Sequence, residues 1–520
     1  MESTVIRRPG RSSAARRSDH SFHGSGKDHL VSILHTRDGR FVDNGVELAA
    51  VLERLDADPT PRLLLHVHGG LVSYPKALEI ADRLDGMVPG KANYTPLKNA
   101  GWQTSYLAWE SSVAESIGNN HDELSRNPLL VRYILRLAAW IERRGWETLA
   151  VEEEDLAAVR RRLDEPPPPA GALYIAIGPD ASKVEEAEAL DTDQLLDTDL
   201  GRQILNDPGI ERFHTEIVGE PGKVAPGRDI DPEVLARIAA RSAHPSPLLP
   251  NSRGSSAADF VLVPLLVLAG LRAIKRLVTD RDHGVYCTLV EEIARVAFVA
   301  KCGASDWAMM KQDTLDHFDH GAGGNLLLEG LTALARTRPV RVLLVGHSAG
   351  AVFGCHFAEQ ASALPGNVTV DYAFLNPAVR IDQMASSLVQ KPRRLDNIRV
   401  FTMTDEREKK DDLDGNLFGK IYPRSLLYLI SGVLEFLPDS GRTYPDAPIS
   451  GLQRHLRRQA TLTRTERAAR DALLGLIEPQ IVYAGVDGGD GRRCDATTHG
   501  SIDEDRQTIE SIIHLGLTGY

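Results

Sequence analysis

Gly346-His347-Ser348-Ala349-Gly350 is the segment whose residue types and spacing carry the most specific chemistry in this chain. It lies in RVLLVGHSAGAVFG, residues 341–354, after an apolar run and before small, helix-forming residues. A serine on a strained turn from strand to helix projects its hydroxyl above a sheet. Glycines two residues to either side keep neighbouring atoms from colliding there. The helix N-terminus behind the serine adds a field that favours a developing oxyanion. The chemistry expected at Ser348 is nucleophilic attack on a carbonyl carbon. The alternative is an ordinary glycine-rich turn.

A serine hydroxyl needs a base, and the base needs an orienting acid. The order expected around such a turn is serine, acid, histidine. NIRVFTMTDE places Asp405 and Glu406 just past an apolar run at 398–403. Asp405 is preferred because it is nearer the strand end, with Glu406 in reserve. His499, in CDATTHGSIDEDRQ, falls between the last expected strand and the last expected helix, and is preferred as the base over His514 on that helix. Upstream, His66-Val67-His68-Gly69-Gly70-Leu71 has the form of an oxyanion-hole turn. Gly70 or Leu71 is expected to donate a backbone N–H, with Gly69 shaping the turn and His68 orienting it. Ala349 is expected to supply the second donor.

With HVHGG, GHSAG, TDE and THG in that order, the chain resembles the α/β-hydrolase superfamily over about 30–110 and 285–520, and resembles uncharacterised bacterial members with an HGGL-type segment more than well-studied esterases. The resemblance implies an α/β fold with a doubly wound, mostly parallel sheet and a Ser348–His499–Asp405 triad. A third glycine is missing after Gly69-Gly70, since Leu71 stands there.

The elements that must position these residues follow from apolar patterning. A β-hairpin through Asp38-Gly39, a helix over 46–55, a strand over 62–68, a helix over 75–87 and a strand over 102–109 are expected. Alternation then lapses. Residues 111–284 are expected to be a mainly helical insertion or cap, with a proline run at 166–169 as linker or exposed loop. It resumes with helices at 288–301 and 325–336, strand 340–345, helix 349–364, strand 368–375, helix 380–388 and strand 398–403. A second helical insertion over about 407–478 contains an apolar helix at 426–436. A strand at 480–486 and a helix at 505–515 finish the chain. Strands alternating with helices mean a parallel sheet with its site at the carboxyl ends of the strands.

Composition narrows the class further. The 520 residues are 42% hydrophobic and 25% charged, ordinary for a globular protein. A net charge of −12 argues against nucleic acid as a partner. The four cysteines, Cys287, Cys302, Cys355 and Cys494, form no CxxC pair, which fits reduced thiols and a cytoplasmic location. Residues 1–27 read as a disordered basic tail without the apolar core of an export signal, and a tether to anionic lipid is the sharper alternative. The apolar stretch 260–271 is too short for a span and is broken by Pro264. It and 426–436 are candidates to cap the pocket or to pack in the core. His66 and His68, and Asp316-His317-Phe318-Asp319-His320, lack a convincing ligand pattern, so no metal or cofactor is implied. The expected function is hydrolysis of a small-molecule or lipid-like carboxylic ester through an acyl-enzyme. Acyltransferase, thioesterase or peptidase chemistry on the same residues, and a non-catalytic binding module, are the alternatives.

Overall fold

Asp38 and Gly39 both adopt positive φ, 48° and 72°. That is the backbone of a two-residue turn that matches strand twist, and it folds β1 (Ile33–Arg37) antiparallel onto the short β2 (Arg40–Phe41). The computed structural model describes residues 31–70, 72–110, 269, 272, 273, 276, 281–296, 299–411, 422, 424–435, 445–458 and 460–519. The basic tail, nearly all of the expected cap between 111 and 280, Leu71 and part of the second insertion lie outside the described residues.

After the hairpin come α1 (Val46–Ala57), β3 (Arg62–Val67), α2 (Tyr74–Leu84), α3 (Thr95–Asn99) and β4 (Gln103–Glu110). Beyond the first insertion follow α4 (Val285–Val296), α5 (Val299–Asp316), α6 (Gly323–Ala335), β5 (Val340–His347) and α7 (Gly350–Gln360). Then come β6 (Val368–Leu375), α8 (Ile381–Ala385), β7 (Asn397–Thr402), α9 (Asp405–Lys410) and α10 (Leu426–Leu429). The chain ends with α11 (Gln453–Leu456), α12 (Arg464–Ile477), β8 (Ile481–Tyr483) and α13 (Arg506–Thr518).

The eight strands form one sheet in the order β2-β1-β4-β3-β5-β6-β7-β8, parallel throughout except for β1 against β2. Side chains alternate between two cores, as the period of two demands. Leu63, Leu65 and Val67 of β3 join Val342 and Leu344 of β5 beneath α1, α6 and α7. Leu64 joins Leu343 and Val345 beneath α2 and α13. Helices therefore cover both faces, and the chain is an α/β protein.

This order positions the site. From β3 the chain moves outward to β4 on one side, and from β5 to β6 on the other. The reversal lies between β3 and β5, whose ends pair at Val67 and Gly346. A crevice opens outside the carboxyl ends of the strands at such a reversal. The turn after β3 and the turn after β5 are thus neighbours, although some 280 residues separate them in sequence.

The register of the second turn depends on its glycines. A Cβ at Gly346 would stand 2.6 Å from the Gly350 carbonyl oxygen, and one at Gly350 would stand 2.3 Å from the Val67 carbonyl oxygen. Both obstacles are backbone and cannot swing aside. Gly350→Ala is expected to destabilise the fold by about 3 kcal/mol or more, at the upper end of overpacking costs, read by thermal or urea denaturation. A loss under about 1 kcal/mol would mean that β3 and α7 can separate more easily than this contact implies.

Several expected elements differ in extent. The helix expected over 288–301 is two helices, α4 and α5, and α5 runs on to Asp316. The last strand is only three residues long. Helix α12 lies within the helical insertion expected over about 407–478, where the apolar stretch 426–436 is the one helix expected, and it starts with a complete capping box between Thr463 and Glu466. The T-x-x-E spacing is the signal that would have located it.

Candidate active site

Ser348 sits between β5 and α7 with φ 54°, in the left-handed region. A non-glycine residue there stores strain, which native structures keep mainly at functional turns. Its backbone is pinned at both ends. Ser348 N–H donates to the Leu375 carbonyl at 2.9 Å, and its carbonyl accepts from Ala378 N–H at 3.1 Å. The side chain lies 3.0 Å from His499 Nε2 through Oγ. His499 stands in the loop between β8 and α13, 151 residues on. Both residues are buried, 4% and 5% exposed, so their contact is shielded from competing water.

Burial is the main reason the proton affinity of His499 lies well below the histidine range, and neighbouring His347 adds to it while Asp503 opposes it. The ring is therefore neutral at pH 7. With Nε2 facing a hydroxyl, a neutral ring protonated on Nδ1 can accept the serine proton. Among the described residues, no group hydrogen-bonds His499 Nδ1.

The acid is where the expectation from sequence needs correction. Asp405 does not meet His499. Thr404 caps α9, and the helix turns Asp405 toward Tyr428, whose hydroxyl donates to Oδ1 at 2.6 Å, while Lys409 Nζ lies 2.9 Å from Oδ2. Burial raises its proton affinity, but Lys409 and Tyr428 outweigh that and hold the carboxyl below its ordinary range. Glu406, the reserve, is exposed and pairs with Lys410. The carboxylate that hydrogen-bonds His499 is Asp411, just past α9: its Oδ2 accepts from the His499 backbone N–H at 2.7 Å, and the residue is buried. Asp411 lies six residues beyond Asp405, and nothing in TDEREKKDD distinguishes it locally.

Gly69 and Gly70 form the turn after β3 and pack on the serine turn. A Cβ at Gly69 would lie 3.3 Å from Ser348 Cβ, and one at Gly70 would lie 3.0 Å from Ala349 Cβ and collide with Met310 Sδ on α5. His68 Nδ1 donates to the Gly69 carbonyl at 2.7 Å, which fixes that peptide plane. The His68 ring stacks on Trp109, whose Nε1 donates to the His68 carbonyl at 3.2 Å. Ala349 heads α7, which has no side-chain cap. Among the described residues its N–H donates to no carbonyl, as first-turn amides have no helical partner. Leu71, the other expected donor, lies outside the described residues. His514 is on α13, with its ring against Gly491 rather than at the serine. His317, from the set weighed for metal binding, uses both nitrogens within the fold, on Thr36 Oγ1 at 2.9 Å and the Asp313 carbonyl at 2.7 Å.

The buried imidazoles also set how stability depends on pH. Burial lowers His66 to about 3 and His68 and His317 to about 4, and holds His499 well below 6.5. Below pH 6.5 the unfolded chain binds protons on these rings that the folded chain does not. Stability is therefore full above that pH and is lost as pH falls, at up to about 1.4 kcal/mol per ring per pH unit. Burial also lowers His356 and His455, while it pushes the carboxyls of Glu408 and Asp313 above their ordinary values. Those two act with the opposite sign, but they are two groups against six imidazoles. The melting temperature is expected to fall between pH 7 and pH 5. A flat profile would mean that these rings are reached by water.

No protein-family model, curated protein or solved structure matches the chain. The fold and the site thus define a class only at the level of an α/β protein with a serine–histidine pair at the switch point of its sheet. Among the described residues, no helix is long and apolar enough to cross a membrane.

Proposed function

We propose that this chain is a serine hydrolase of the α/β-hydrolase type that cleaves a carboxylic ester through an acyl-enzyme. The observation that carries the proposal is the 3.0 Å contact between His499 Nε2 and Ser348 Oγ, with the serine at positive φ on a strand-to-helix turn. The order of the strands supports it, because the turn after β3 is brought against that serine.

In this reading Ser348 Oγ attacks the ester carbonyl carbon while its proton passes to His499 Nε2. The tetrahedral oxyanion is met by the Ala349 amide and an amide of the turn at Gly69 and Gly70. Collapse breaks the carbon–oxygen bond to the alcohol, which leaves with the proton from Nε2. Water, deprotonated by the same nitrogen, then releases the acid and restores Ser348. Asp411 is the carboxylate we assign to the base: it holds the His499 backbone, and its charge favours the imidazolium that forms midway. Transfer of the acyl group to another nucleophile uses the same steps with a different acceptor in place of water.

The experiment is to incubate the folded full-length protein with a fluorophosphonate probe and, separately, with p-nitrophenyl acetate. Covalent labelling together with turnover is the expected result. A folded protein that is neither labelled nor active would overturn the proposal and favour a binding module on the same scaffold.

A further inference from the structure

His347, the residue before the nucleophile, does not enter the proton transfers just described, yet its side chain reaches across to the base. Nε2 lies 3.1 Å from the main-chain carbonyl of His499. A carbonyl can only accept, so this nitrogen carries a proton. Asn376 Nδ2 donates to the same carbonyl at 3.3 Å. On its other side, His347 Nδ1 lies 3.7 Å from Asp503 Oδ2. Asp503 is itself held by Arg83 of α2, with Nη1 donating to the Asp503 carbonyl at 2.6 Å and Nη2 3.3 Å from Oδ1. His347, Asp503 and Arg83 are all buried.

We propose that His347 is a positioning residue that registers the nucleophile with its base by gripping the base's own carbonyl, with Asp503 and Arg83 setting its ring. The contacts close a small loop. Ser348 is bonded to His347, His347 to the His499 carbonyl, and the His499 ring returns to Ser348 Oγ. A shift of the His499 loop relative to the serine turn strains the grip on the carbonyl together with the 3.0 Å contact. Arg83 brings in the helix that follows the Gly69–Gly70 turn, so one buried chain of polar contacts joins three separate segments of the site. Burial alone would raise the proton affinity of Asp503, but His347, Arg83 and His66 overcome it and keep the carboxyl well below its ordinary range. The negative charge that the grip needs is therefore present at neutral pH.

The inference rests on the hydrolase reading and deepens it. The test uses the full chain with three substitutions, each checked by circular dichroism and melting temperature. His347→Leu removes the donor. It is expected to lower kcat on p-nitrophenyl acetate and the fluorophosphonate labelling rate by about 100-fold, the scale of a misplacement near 1 Å, with KM within about threefold. His347→Gln keeps an N–H that can reach the carbonyl and is expected to recover to within about tenfold of wild type. Asp503→Asn is expected to slow labelling without further loss when combined with His347→Leu, because both act through one grip. A folded His347→Leu that labels at the wild-type rate would overturn the inference, as would a His347→Gln no faster than His347→Leu. If His347→Leu does not fold, wild-type labelling by both His347→Gln and Asp503→Asn overturns it, whereas a slowed Asp503→Asn beside an active His347→Gln supports it. Failure of wild type to label is a different result. It removes the hydrolase reading, and this inference with it, whereas a labelled wild type with unaffected variants removes this inference alone.

Discussion

Ser348→Ala is expected to abolish fluorophosphonate labelling and to lower ester turnover by at least about 10⁴-fold, the scale seen when a serine nucleophile is removed. The substitution isolates the hydroxyl. Alanine keeps Cβ, which packs against Gly69, and it meets the same backbone strain at φ 54°. The buried side chain gives up its contact with His499 Nε2 and leaves that ring neutral, with no charge stranded. The melting temperature is therefore expected to stay within a few degrees of wild type, which separates loss of chemistry from loss of fold. Labelling that persists in Ser348→Ala would move the nucleophile elsewhere.

The second large effect concerns the acid. Asp411→Asn is expected to lower kcat by about 100-fold or more, because the replacement retains an oxygen for the His499 N–H but removes the charge that supports the imidazolium. Asp405→Asn is expected to leave kcat within about threefold of wild type. Its carboxylate is bonded to Tyr428 and Lys409, so the loss falls on stability, and only modestly because Lys409 is partly exposed. Measuring kcat for both variants on one ester decides between the two carboxylates. The reverse pattern, with Asp405→Asn inactive and Asp411→Asn active, would return the acid to Asp405 and require α9 to turn during catalysis.

The contrast between these carboxylates shows what local sequence can and cannot carry. Ser348 was legible because strand, glycine-flanked serine and helix are consecutive, and their constraints act over a dozen residues. The meeting of His499 with Ser348 was legible because one histidine lies between β8 and α13, so order along the chain sufficed. Asp405 and Asp411 occupy the same connection, and order could not rank them. The cap at Thr404 and contacts with Tyr428 and Gln453, which stand 23 and 48 residues away from Asp405, hold that residue away from His499. Proximity to the strand end favoured Asp405, and helix direction favoured Asp411. The grip of His347 was equally hidden: a histidine at that position of the pentapeptide has no local reason to face the carbonyl of a residue 152 positions later.

The sequence by itself determined the alternation of strands and helices, the strained serine turn and the order in which Ser348, the carboxylates after β7 and His499 follow one another. Those features depend on backbone periodicity and on glycine sterics, which are encoded within a few neighbouring residues. Tertiary structure alone decided which side chains meet. Strand order β4-β3-β5-β6 put the Gly69–Gly70 turn beside Ser348, and the position just past α9 put Asp411 on the His499 backbone N–H. Arg83, Asp503 and His347 became one chain only when α2, the base loop and the serine turn closed around a common interior. Such contacts depend on directions fixed by elements far apart in the chain.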